Sequence, residues 1–151
     1  MDETIRNLKW TDDATKQMLQ NVVKRKRKFD KYKKLHLIII WLTIFLSFLY
    51  IMFIYKNILS PYSYSFAEMF SAYVRLPMNE WMIVILFGLF GYMNVLKKKV
   101  DKYEKEFHLL RCEIIDKAPD LWREDEDWKN RHHVFQIMKA KYDINLYHEN
   151  K

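Results

Sequence analysis

Leu35–Tyr55, LHLIIIWLTIFLSFLYIMFIY, is an unbroken apolar run without Asp, Glu, Lys or Arg, and every other segment must be arranged around it. At about 1.5 Å of helical rise per residue, about 20 residues cross a hydrocarbon layer of about 30 Å, so this run suits a membrane span. Between Leu37 and Tyr55 thirteen residues are Leu, Ile or Phe. At roughly 0.3 to 0.6 kcal/mol each they favour insertion by about 4 to 8 kcal/mol. Residues 35–55 are therefore read as the first transmembrane helix.

Just ahead of it stand Lys24, Arg25, Lys26, Arg27, Lys28, Lys31, Lys33 and Lys34. A cation beside an anionic leaflet contributes about 1 kcal/mol, so this belt is read as a topology signal in contact with lipid headgroups. The competing reading is a nucleic-acid patch, with Phe29 and Tyr32 stacking on bases. A basic belt beside a span already has a sufficient cause, and nucleic acid is disfavoured as a partner.

Residues 1–34 form the expected cytoplasmic amino-terminal segment. Thr11 can cap a helix whose first turn holds Asp12 and Asp13. Met18, Val22, Phe29 and Tyr32 then recur at helical spacing, and no Pro or Gly interrupts the chain before the span. One helix from about Asp12 into the membrane is predicted. The polar start MDETIRNLKW has no apolar signal core, so the first span is expected to direct insertion.

Residues 56–78 are read as the extracytoplasmic loop. Lys56 to Glu80 carries two basic and two acidic residues and two of the three prolines. Ser65 and Glu68 have capping-box spacing, and Phe66, Met69, Phe70, Tyr73 and Val74 make an apolar face ahead of Leu76-Pro77. A short interfacial helix fits, with an aromatic ligand-binding loop as the alternative.

Trp81–Leu96, WMIVILFGLFGYMNVL, is uncharged but covers only about 24 Å as a helix, so the crossing borrows Met78 and Asn79 or lets Lys97 snorkel, and the span is assigned to 79–96. Lys97, Lys98 and Lys99 follow at once. With basic residues flanking both spans and a neutral loop between them, the positive-inside rule puts both termini in the cytoplasm. Gly88 and Gly91 would let another helix approach closely, and packing of the two spans is expected. Thr43, Ser47 and Asn94 are too few to line a wet pathway through one subunit.

Leu89, Met93, Leu96, Val100, Tyr103, Phe107, Leu110 and Ile114 continue the period in steps of four and three. A helix from about Asn79 to Lys117 is predicted, with 97–118 as a cytoplasmic stalk. Antiparallel pairing sets Tyr32 near Val100, Phe29 near Tyr103, Val22 near Leu110 and Met18 near Ile114, with Arg25 facing Phe107. Self-association through the same stripe is the rival arrangement. Pro119 opens the last segment, 119–151, in which Glu124–Asp127 leads a helix lined by Trp128, Phe135, Met138 and Tyr142, expected to cover the stalk or to meet a partner.

The 151 residues are 50% hydrophobic, 17% aromatic and 30% charged, with two Gly and three Pro, a composition that favours an all-α fold. The net charge of +7 is uneven. Residues 1–34 hold eleven basic and five acidic groups, and 97–151 hold thirteen and twelve. The single cysteine, Cys112, excludes an intrachain disulfide and fits a reducing compartment. Glu104, His108 and Cys112 stand at steps of four, but a zinc site needs a fuller ligand set, and the plain reading is a solvated helix edge. No phosphate loop, zincin, hydrolase or paired-cysteine motif is present. No catalytic, cofactor or metal residues are assigned, and an enzyme is not expected.

The layout as a whole, from MDETIRNLKWTDDATKQMLQNVVKRKRKFDKYKKLH through two closely placed spans to DLWREDEDWKNRHHVFQIMK, resembles the YpbF-like family of small membrane proteins of spore-forming Gram-positive bacteria. That resemblance implies a two-span plasma-membrane protein and supplies no catalytic or binding residues to carry over. The sequence thus predicts an all-α integral membrane hairpin, its helices extended into a cytoplasmic antiparallel stalk with a further C-terminal helix. The function it suggests is a non-enzymatic interaction or scaffold module, working with the anionic bilayer and with a protein partner or a second copy. An oligomeric pore is the alternative.

Overall fold

A computed structural model describes residues 2–9 and 11–147; residues 148–151, the end of the expected C-terminal segment, lie outside it. The described residues are helical, with no strand. In chain order the elements are α1 (Glu3–Arg6), α2 (Asp13–Ile54), a π-helical turn (Tyr55–Leu59), α3 (Phe66–Arg75), α4 (Pro77–Asp116), α5 (Ala118–Leu121) and α6 (Asp125–Tyr142).

The helix ends follow local chemistry. Asp12, rather than Thr11, caps α2: its carboxylate accepts the Thr15 N–H at 2.9 Å, while the Thr11 hydroxyl donates to the Lys9 carbonyl. From there α2 runs 42 residues, because no Gly or Pro interrupts it. Ser65 caps α3 by accepting the Glu68 N–H. Leu76 is extended at φ −94° and ψ 99°, as expected of a residue before proline, and Pro77 takes the first position of α4, where no N–H is needed. At the other end of α4 the helix closes at Asp116, and Pro119 lies inside the short α5.

The chain divides into two units, and α2 and α4 contribute residues to both. The first unit takes the described residues up to Tyr32 and from Lys99 onward. Its core gathers Ile5 and Leu8, then Leu19, Val22 and Val23 of α2, Phe107 and Ile114 of α4, Ala118 and Trp122, Val134, Phe135 and Met138 of α6, and finally Ile144 and Leu146. After α6 the chain turns at Asp143, which adopts the left-handed conformation at φ 55°. The Ile144 N–H then reaches the Met138 carbonyl six residues back at 3.1 Å, and Asp143 N–H bonds the Lys139 carbonyl. This Schellman closure sends Ile144 back beside Met138, both fully buried.

The second unit is Lys33–Lys98. It holds the apolar part of α2, the π-helical turn, α3 and the start of α4. Few of its apolar residues are buried: Trp41, Phe45, Phe48, Ile51, Phe87 and Val84 are among those that stand exposed.

Candidate functional site

The expected packing seam lies in the first unit, and ring contacts set its partners. Tyr32 stacks on Tyr103 with centroids 4.8 Å apart, and Phe29 lies parallel to Phe107 at 6.3 Å. Tyr32 was expected near Val100 and Phe29 near Tyr103, so the ring partners are displaced by one helical turn. Stripes of alternating three and four repeat every turn, so patterning alone leaves such a shift undecided. Val22, Val100, Phe107 and Ile114 are buried, and Met18 and Leu110 are partly so. On α2 the buried face is broader than the stripe of Met18 and Val22, because Leu19 and Val23 are fully buried beside Val22.

The basic run splits into two groups. Lys26 points inward with only 13% of its side chain exposed, paired with Asp30 and Asp143 at 3.2 Å each. Its ammonium also lies 5.7 Å from the centroids of both Phe29 and Phe107. Arg25, expected to face Phe107, instead forms an ion pair with Glu106. Arg27 binds Asp2 at 2.7 Å. The Tyr142 hydroxyl and the Arg27 guanidinium beside Asp2 hold its carboxyl down to about 2. Lys24, Lys28 and Lys31 are exposed on the same unit, and Lys99 sits 5.7 Å from the Tyr32 ring. Lys33, Lys34, Lys97 and Lys98 are exposed residues of the second unit.

Glu104, His108 and Cys112 keep their helical spacing on α4. Among the described residues no group of three or more His, Cys, Asp or Glu is placed to hold a metal ion.

In the second unit the apolar parts of α2 and α4 are each long enough to cross a membrane, and only 6% and 11% of their apolar stretches are buried. Around Gly88 and Gly91 nothing lies within 4 Å of where a Cβ would stand, so the close helix approach expected there is absent among the described residues.

The end of α2, the π-helical turn and α3 border an open groove of about 670 Å³. Asn57, Tyr62, Glu68, Ser71 and Arg75 supply its polar lining, and Phe53, Ala72 and Leu76 its apolar lining. The walls are tied together: the hydroxyls of Tyr50 and Tyr73 lie 3.2 Å apart, and the buried Asn79 donates to the Tyr73 carbonyl at 2.7 Å. The sequence did hold a signal. Glu68, Ser71 and Arg75 recur at steps of three and four on the polar side of α3, away from Phe66 and Phe70.

Comparison with known proteins finds a family and a relative. The model of the family described as protein of unknown function (DUF2663) matches residues 18–149. The chain is 40% identical over 152 residues to the uncharacterized protein YpbF of Bacillus subtilis (strain 168), covering 94% of this chain and 93% of that one. No solved structure matches.

Proposed function

This chain belongs to the DUF2663 family, whose function is unknown, and we propose that it is a non-enzymatic, membrane-anchored interaction module. Its second unit is the two-span anchor, and its first unit is a folded helical domain held at the cytoplasmic face with both chain ends. One observation carries the reading: the apolar stretches of α2 and α4 are only 6% and 11% buried, while the first unit has a packed core of its own. A soluble helix of such composition would hide its apolar side chains, and an uncovered apolar surface of this extent needs lipid or a partner. Lys24, Lys28 and Lys31, exposed and directly ahead of the first apolar stretch, supply headgroup contact, and Lys97, Lys98 and Lys99 do so after the second.

The anchor is tested by alkaline extraction of membranes from cells expressing the full chain. It should stay in the pellet, and release into the wash would reject the anchor. The interaction role is tested by crosslinking in intact membranes followed by mass spectrometry. Crosslinked peptides should map to exposed residues of the first unit such as Leu109, Trp128 and Ile137. Finding neither a specific partner nor a second copy crosslinked there would leave the module reading without content.

A further inference from the structure

The geometry points to a zwitterionic phospholipid headgroup as the occupant of the groove at α3, with its ammonium on Glu68 and its phosphate on Arg75. This rests on the reading that the second unit lies in a membrane. About 670 Å³ is the size of a small-molecule site. The charges it presents narrow the ligand. Glu68 and Arg75 lie two turns apart on one helix, about 10 Å along its axis, with Ser71 between them. The Glu68 carboxylate accepts a hydrogen bond from the Tyr64 hydroxyl through one oxygen, a neutral partner that leaves its negative charge uncompensated. An anion alone would meet the Glu68 carboxylate, and a cation alone would meet the Arg75 guanidinium. A ligand carrying one charge of each sign satisfies both, and the guanidinium fork suits a phosphate.

The apolar lining and the position add the lipid. Phe53 and Leu76 offer an apolar wall beside the charges. The π-helical turn follows directly on the apolar stretch of α2, so Asn57 and Tyr62 fall where that stretch ends and headgroups begin. The turn is held by the Ser60 N–H reaching the Tyr55 carbonyl at 2.9 Å and by Asn57 donating to Phe53. The Tyr50–Tyr73 hydroxyl contact ties α3 to α2, and Asn79 at the start of α4 donates to the Tyr73 carbonyl, which anchors the helix that carries Glu68 and Arg75. A primary ammonium can donate hydrogen bonds to Glu68 whereas a trimethylammonium cannot, so phosphatidylethanolamine is preferred over phosphatidylcholine. Phosphatidylglycerol lacks the cation altogether.

The test uses the full-length protein in nanodiscs made from equal parts phosphatidylethanolamine, phosphatidylcholine and phosphatidylglycerol, with retained lipid read by native mass spectrometry. The wild type should retain phosphatidylethanolamine about tenfold over each of the others, as expected for one charge-assisted hydrogen bond. Glu68→Gln should abolish that preference, and Arg75→Gln should lower retention of all three. Ser71→Leu, which narrows the groove without changing charge, should lower retention as well. Equal retention of the three lipids by the wild type, or variants that retain lipid as the wild type does, would overturn the proposal. Full competition by soluble phosphoethanolamine at a concentration equal to the lipid would also overturn it, by showing that the bare headgroup is the ligand. Alkaline extraction of the same variants separates the two readings. A wild type that washes off the membrane defeats the anchor, whereas one that stays but shows no lipid preference defeats only the headgroup site.

Discussion

Lys26 lies in a run of five successive cations yet does the work of a core residue. A flexible apolar stem lets its ammonium reach two carboxylates and two ring faces while little of the side chain meets solvent. Lys26→Glu should place a third acid beside Asp30 and Asp143 and lower the stability of the first unit by about 1 to 3 kcal/mol. Lys24→Glu, at an exposed site, should stay within about 0.5 kcal/mol. Thermal melts of the full chain in detergent, followed by circular dichroism, check the pair. Asp2 supplies the pH dependence. Its folded value of about 2 lies below the ordinary 3.8, so its contribution is complete above about pH 4 and disappears as the pH falls through about 2. The difference in melting temperature between wild type and Asp2→Asn should therefore be full at pH 6 and vanish near pH 2. A difference that stays constant over this range would contradict the assignment.

At the scale of elements, the ends of helices decide how the first unit closes. Asp143 accepts a left-handed conformation that side chains other than Gly, Asn and Asp adopt poorly, and this turn returns Ile144 and Leu146 to the core. Asp143→Val should cost about 1 to 2 kcal/mol from backbone strain, whereas Asp143→Gly should change stability by less than about 0.5 kcal/mol, relief of the conformation offsetting loss of the solvent-exposed Asp143 carboxylate, since Lys26 keeps Asp30. Inside α6, Met138→Ala should cost about 2 to 5 kcal/mol, since Met138 is fully buried against the cluster. Urea melts of each variant measure these differences. The helices themselves were legible because period and breakers are local. The long α2, the α3 cap at Ser65 and the break near Pro119 were all readable in this way. The partners of Phe29 and Tyr32 were not, since ring stacking between segments far apart in sequence depends on a register that every turn of the stripe allows.

For the whole molecule, the governing question is where the apolar surface of the second unit goes. An arginine near the middle of a span costs about 2.5 to 3.5 kcal/mol against the estimated 4 to 8 kcal/mol favouring insertion of the first apolar stretch. Phe45→Arg alone should therefore leave most of the chain resistant to alkaline extraction, and Leu42→Arg with Phe45→Arg should release a large fraction of it. A double variant as resistant as the wild type would argue that these helices are held by protein rather than lipid. Orientation is checked separately. A cysteine replacing Ser63 should react with an impermeant thiol reagent in intact cells while Cys112 does not, and the opposite pattern would reverse the topology.

The sequence by itself determined the all-helical class and the two long apolar stretches, because helix period, residue hydropathy and breaker positions act over neighbours a few residues apart; the family was legible separately, as a resemblance carried along most of the chain. It also carried the polar face of α3 without revealing that the face borders a groove. Only the tertiary structure decided that Ile5, Leu8, Trp122, Ile144 and Leu146 join one core, that Lys26 turns inward, and that Glu68 and Arg75 share a concave surface with Asn57 and Phe53. Each of these depends on which distant segments meet. That is set by the summed packing and charge of the folded chain rather than by any local pattern.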